Sequence, residues 1–228
     1  MEHILDNPAW NALISGNKHL SNGSEGVKYF DKEISPFVAF KENTPESFQL
    51  LYELIPHNNP VIFISPHKMD IPGRWKVLLC VEVIQMVCDD VIKKTYRGPE
   101  LISLTVEHVP QMMALTKLTN PGPFAEKTID FGHYRGIFDG DKLVAMAGQR
   151  LHIFNYAEVS AVCTHPDYSG RGYARQLLLY QMNRIIAASD IPFLHVRNDN
   201  ERAIKVYSAL GFVTRREIFF YVMQKAFA

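Results

Sequence analysis

Glu158-Val-Ser-Ala-Val-Cys163-Thr-His-Pro-Asp-Tyr-Ser169-Gly-Arg-Gly172-Tyr-Ala174 is the stretch that decides how this chain is read. A run of strand formers, Glu158 to Cys163, enters a turn carrying Gly170 and Gly172. The turn opens a long helix to about Ala188, along which Ala174, Leu177, Leu178, Met182, Ile185 and Ile186 keep helical spacing. A turn of this kind leaves several backbone N–H groups pointing one way, and the helix dipole adds partial positive charge, which suits a phosphate or pyrophosphate. Glycines there let the backbone approach an anion closely. The same residues also read as an ordinary strand-to-helix turn in which glycine relieves strain. Neither the G-x-G-x-x-G nor the G-x-x-x-x-G-K pattern is present.

Working outward, the C-terminal part alternates strands and helices. Leu101–Val106 reads as a strand and Val109–Leu118 as a helix, followed by the turn Asn120-Pro-Gly-Pro123. His133–Phe138 and Leu143–Phe154 read as strands joined by Asp139-Gly-Asp141, a hairpin signal. Phe193–Val196 is a strand, Glu201–Leu210 a helix and Ile218–Val222 a strand. Gly98-Pro99, after Tyr96-Arg97, punctuates the chain and divides it into 1–97 and 98–228. Upstream, Val38–Phe40, Pro60–Ile64 and Trp75–Val87 read as strands, and Thr44-Pro45 opens a helix through Leu54 or Ile55. Residues 17–28 are polar and rich in Gly and Ser, and read as loop. Each half begins with a strand followed by a helix, which hints at a tandem arrangement.

Composition narrows the function. Lys+Arg and Asp+Glu both total 24, so the chain is formally neutral and offers no polyelectrolyte attraction to nucleic acid or an anionic membrane. Three cysteines, Cys80, Cys88 and Cys163, do not form a disulfide framework; Cys80 and Cys88 lie in apolar runs and read as buried. The first residues carry no basic-then-apolar leader, and Trp75–Ile92 is interrupted by Glu82, Asp89 and Asp90. The expectation is a soluble cytoplasmic protein with no bound metal, since neither H-E-x-x-H nor C-x-x-C occurs.

The turn resembles the acetyl-coenzyme A motif of the GNAT N-acetyltransferase superfamily: Gln or Arg, two free positions, Gly, one free position, then Gly or Ala. Gly172 and Ala174 match, and Ser169 stands where the family has Gln or Arg. Downstream, Asn200, Tyr207 and Leu210-Gly-Phe212 are similar to a second family signature. Pro121-Gly-Pro-Phe124 and Leu143-Val-Ala-Met-Ala-Gly148 resemble the bacterial subgroup related to glycine N-acyltransferases. The resemblance covers about 98–228 and implies an α/β GNAT acyl-CoA N-acyltransferase fold with a mixed, mostly antiparallel sheet. It also implies a smaller, degenerate GNAT-like half before it.

The resemblance then supplies roles. Val162, Cys163 and Thr164 would offer backbone groups to the pantetheine arm, where the strand splays from its neighbour. Ser169, Gly170, Arg171, Gly172, Tyr173, Ala174 and Arg175 would hold the pyrophosphate, and Asn200 would help hold the cofactor. Tyr207 would protonate the departing thiolate. The implied reaction moves an acetyl group from acetyl-CoA to a primary amine, on a small amine, an amino acid or a protein or peptide amino terminus, and Pro121–Phe124 would shape the acceptor cleft. A silent CoA-binding or scaffolding protein is the alternative.

Residue chemistry is compatible with those roles. A thioester attacked by an amine needs a neutral amine, donors for the developing oxyanion and a proton for sulfur. Tyr207 also fits an apolar helical stripe with Ala203, Val206 and Leu210. Glu158 is the candidate base, a water chain the alternative; strict alternation puts it on the face of Ser160, Val162 and Thr164, with Cys163 opposite. Cys163 reads as structural, and His165 and His195 as polar loop residues. Ser169 also reads as a cap for the turn before the helix.

Overall fold

The final strand of the chain does not pair with the strand that precedes it. In this computed structural model, which describes residues 3–89 and 98–226, eleven strands form one sheet. They are β1 (Ser21–Gly23), β2 (Val27–Phe30), β3 (Phe37–Phe40), β4 (Val61–Ser65), β5 (Trp75–Val87), β6 (Ile102–Ser103), β7 (Arg135–Asp139), β8 (Lys142–Ile153), β9 (Tyr156–Thr164), β10 (Ile191–Arg197) and β11 (Val213–Lys225). Their spatial order is β1-β2-β3-β4-β11-β5-β10-β9-β8-β7-β6. Among the described residues only β3/β4 and β9/β10 are parallel pairs, and each is joined through a helix, the usual parallel crossover. The helices are α1 (Pro8–Ile14), α2 (Pro45–Leu54), α3 (Val109–Thr119), α4 (Tyr173–Ala187) and α5 (Glu201–Ala209).

One succession occurs twice. An antiparallel pair leads through a helix to a parallel strand: β2-β3-α2-β4 upstream and β8-β9-α4-β10 downstream. Each half then sends its last strand into the other. β11 pairs with β4 and β5, and β5 also pairs with β10. Tyr96 and Arg97, at the expected break, lie outside the described residues. Strands from either side of it share one sheet and one apolar core, which joins Leu5, Leu13 and Phe37 to Phe131, Leu151 and Phe193.

Local sequence explains most elements. The Thr44 Oγ1 accepts from the Ser47 N–H at 3.3 Å and Pro45 opens α2 with its φ preset. In α4, Leu178, Leu179, Met182 and Ile185 turn one face to Ala157, Val159, Leu194 and Val196. In α3, Met112 and Leu115 lie on the other face of the sheet with Leu104, Leu143, Ala161 and Cys163.

Three expectations change. Residues 17–28 are not all loop: Ser21–Gly23 and Val27–Phe30 form a hairpin, closed by Ser24 N–H donating to the Val27 carbonyl at 2.7 Å. The expected strand Leu101–Val106 shrinks to Ile102–Ser103, because Val106–His108 turns into the entry of α3. Cys80 is exposed, unlike Cys88; β10 pairs with β5 only from Val83 onward, so the stretch before it has β11 on one side alone. Helix α1 was not foreseen; Asn7-Pro8 starts it, and Ala9, Trp10, Ala12 and Leu13 are buried. Among the described residues, no helix is long and apolar enough to cross a membrane.

Candidate active site

Two local departures from regular structure build the site. The first is at the start of α4. Gly172 occupies the N-cap position at φ +81°, and among the described residues no side chain caps the helix. The first helical bond runs from the Gln176 N–H to the Gly172 carbonyl at 3.0 Å, which leaves the N–H groups of Tyr173, Ala174 and Arg175 without intrahelical acceptors. Contrast α2, where Thr44 takes up this role. Gly170, at φ +80°, holds the preceding turn in the left-handed region. Ser169 lies outside the N-cap position of α4; it ends the short turn Pro166–Tyr168 before that helix, with its N–H donating to the Pro166 carbonyl. The turn is fastened by the Tyr168 hydroxyl, which donates to Asp139 Oδ2 at 2.6 Å, while Arg171 lies over the Tyr168 ring at 4.6 Å.

The second departure is in β9. It pairs with β10 only through Tyr156, Ala157 and Glu158; beyond them the two parallel strands part, as the resemblance implied. On its other side β9 carries an extra residue, because Ser160 and Cys163 face Gly148 and Met146 across β8. Ala161 absorbs this bulge at φ +52°. The bulge also resets the alternation. Val159 and Val162 face α4, whereas Ala161 and Cys163 face α3. Glu158 therefore lies on the α3 side and not with Val162 and Thr164.

A cavity of about 400 Å³ joins the two features. It brings together Val162, Cys163, Thr164, Ser169, Gly170, Gly172, Tyr173, Ala174, Arg175, Asn200 and Tyr207 from three separate sequence segments. Arg171 is beside it but not in its wall. Tyr168 and Arg202 also line it and were not singled out from sequence, as do Leu178, Ala203 and Val206, which were read only as apolar stripe residues. The Thr164 Oγ1 is buried and has no hydrogen-bond partner among the described residues. Asn200 caps α5, its Oδ1 accepting from the Ala203 N–H at 3.2 Å. Tyr207 stands edge-on to Phe212, and burial pushes its phenol up to about 12. Burial likewise pushes the Cys163 thiol up to about 12, so it is not a thiolate at neutral pH and is a poor nucleophile.

The expectation that Glu158 is a general base is corrected. Its side chain is fully buried and outside the cavity. Arg150 donates Nε to Oε2 at 2.9 Å and Nη2 to Oε1 at 2.5 Å. The Arg150 guanidinium itself lies 4.8 Å from the Phe37 ring centre. His195 Nδ1 lies 2.7 Å from Oε1. Burial opposes the Glu158 charge, but Arg150 and His195 outweigh it and hold the carboxyl down at about 2. A group that acidic accepts a proton too poorly to serve as a base near neutral pH.

His195 is not a loop residue but the middle of β10, and its tautomer follows from its neighbours. Arg215 Nε donates to Gln85 Oε1, which orients the amide so that Gln85 Nε2 faces His195 Nε2 at 2.9 Å. Nε2 must then accept, and Nδ1–H must donate to Glu158. Arg150, Gln85 and Arg215 were invisible in the sequence, because the contacts that define them span 8 to 130 residues.

Comparison with known proteins places this geometry. The FR47-like protein family matches residues 134–221. N-alpha-acetyltransferase RimI of Mycobacterium tuberculosis is 37% identical over 84 residues, which cover 35% of this chain and 51% of the relative. An uncharacterized protein of Mycobacterium leprae is 40% identical over 101 residues, 41% of this chain and 27% of that one. The chain thus spans about half or less of the curated relatives it matches. A crystal structure from Novosphingobium aromaticivorans, described as that of an acetyltransferase from the GNAT family, is 32% identical, with a TM-score of 0.91 over 99% of this chain and 100% of that chain. With full-length similarity in sequence and fold to that protein, and an uncapped helix start beside a splayed strand pair, the chain belongs to the GNAT family of acetyltransferases.

Proposed function

We propose that the protein transfers an acetyl group from acetyl-coenzyme A to a primary amine by direct attack. The observation that carries this reading is the single cavity that runs from the uncapped start of α4 to the parted strands and Tyr207. The residues fit the co-substrate. The free N–H groups of Tyr173–Arg175 and the α4 dipole suit a pyrophosphate, and the Arg175 and Arg202 side chains add positive charge at the wall. The unpartnered Thr164 hydroxyl suits an amide-bearing arm. Acetyl-CoA supplies the activated acyl group; the chain orients it and manages protons. Tyr207 remains protonated through the physiological range and donates to the sulfur as the C–S bond breaks. With Glu158 committed to Arg150 and His195, the proton lost by the amine goes to water.

The RimI relative is described as an N-alpha-acetyltransferase, which favours an α-amine, on an amino acid or a peptide, over other amines. We also read residues 1–97 as a degenerate copy of the GNAT half, from the repeated succession and the exchanged last strands.

Acetyl-CoA at one hundred times its dissociation constant should stabilise the fold by about 2.7 kcal/mol, a rise of roughly 5–10 °C in Tm for a chain of this size. Thiol release with a panel of amino acids and peptides should then identify the acceptor. No rise with saturating acetyl-CoA refutes the reading; a rise with no thiol release from any amine favours a silent CoA-binding protein.

A further inference from the structure

Tyr134 has a buried hydroxyl without a partner, next to the bulge. The residue is 3% exposed and its Oη finds no hydrogen-bond partner among the described residues. Buried polar atoms left in this state are rare and call for an explanation. Its ring crosses β8 at Gly148: a Cβ there would meet Cδ1, Cε1 and Cζ at 2.4, 2.4 and 2.6 Å. Glycine at 148 is therefore what admits the ring. Gly148 in turn faces Ser160 of β9. The Tyr134 ring thus lies over Gly148, and Tyr134 shares one apolar cluster with Ala161 and Cys163.

That spot is where β9 is open on both edges. Ala161 and Val162 have no register partner in β8, and β10 has left after Phe193. Val162, Cys163 and Thr164, immediately beyond, line the cavity. Cys163 thus belongs both to the cluster that holds Tyr134 and to the cavity wall. Phe124, from the loop expected to shape the acceptor cleft, stands edge-on to the Tyr134 ring at 5.9 Å.

We propose that the Tyr134 hydroxyl donates a hydrogen bond to the acyl carbonyl oxygen during transfer, a role that rests on the acetyl-transfer reading above. The amine nitrogen forms a bond to the carbonyl carbon, and the C=O π pair moves onto oxygen, where the Tyr134 O–H meets the developing charge. Collapse re-forms C=O and breaks C–S. Sulfur leaves with the bonding pair and receives a proton from Tyr207, which is replenished by the proton the nitrogen gives to water. Burial raises the Tyr134 phenol above its ordinary value, so it donates without ionising.

The test is Tyr134→Phe, which keeps the ring over Gly148 and removes only the oxygen. The Tm and the affinity for acetyl-CoA should stay as in the wild type, and kcat should fall about 10²–10³-fold with the acceptor KM unchanged. A second readout needs no turnover: the infrared C=O band of carbonyl-labelled acetyl-CoA, bound to the protein without acceptor. It should lie at lower frequency on the wild type than on the variant. An unchanged kcat with coincident bands overturns the proposal. So does a raised acceptor KM at constant kcat, which would make Tyr134 an acceptor-binding group. If the variant does not fold, a wild-type band at the free-ligand frequency still overturns it. Failure of the wild type to bind acetyl-CoA is the distinct result that removes the functional reading as well.

Discussion

Replacing Glu158 by Gln separates a structural carboxylate from a catalytic one. The substitution keeps the shape and removes the charge that neutralises Arg150, itself only 8% exposed. Removing one partner of a buried ion pair costs about 3–5 kcal/mol, because the other charge is left buried and alone. The carboxyl's own titration gives a similar size. A fall from an ordinary 4.5 to about 2 corresponds to about 3 kcal/mol of stability at neutral pH. The sign is that of a depressed carboxyl: this contribution is present above about pH 4.5 and is lost as pH falls toward 2. For a chain of this size, 3–5 kcal/mol lowers Tm by roughly 6–20 °C. The assay is a thermal and urea melt of wild type, Glu158→Gln, Arg150→Met and the double variant at pH 7. The double variant should recover most of the single-variant loss, since neither charge is then stranded. If Glu158→Gln melts with the wild type and instead shifts the acidic limb of the rate profile, the buried-pair account is wrong and Glu158 is the base.

Two further outcomes are expected. Tyr207→Phe should reduce turnover by about 10²–10⁴ with little change in Tm or CoA affinity; because burial pushes the phenol up to about 12, the wild-type pH–rate profile between pH 7 and 10 should keep its shape in the variant. Ser169→Arg should tighten CoA binding at low ionic strength, with the gain shrinking as salt is added. Because Gly172 and not Ser169 occupies the N-cap of α4, the apo melt should not move; calorimetric titration at two salt concentrations with a melt of each form checks both parts.

The sequence carried the elements better than their arrangement. The strand-turn-helix at Glu158–Ala174 and the helix after Asn200 were legible because their signals are local: glycine at left-handed positions, an Asn cap and helical apolar spacing. The residues expected around the cofactor, Arg171 excepted, line one cavity for the same reason. Glu158 was misread because alternation assumes an unbroken strand, and one extra residue at Ala161 reverses every side chain beyond it. Nothing local marks Ala161 as the bulge. Arg150 and Tyr134 were missed for another reason: each is defined by what stands across from it in a neighbouring strand. The exchange of β5 and β11 was equally hidden, since pairing partners lie more than a hundred residues apart.

That exchange bears on how the protein is made. β11 follows every other described element in chain order yet lies inside the sheet, between β4 and β5. During synthesis the first half cannot close, because the strand that covers β4 has not been translated. Until Val213–Lys225 emerges, β4 and one edge of β5 stand open beside their apolar residues, the condition that invites pairing with other chains. A fragment ending before residue 213 keeps open the edges of β4 and β5 that β11 covers.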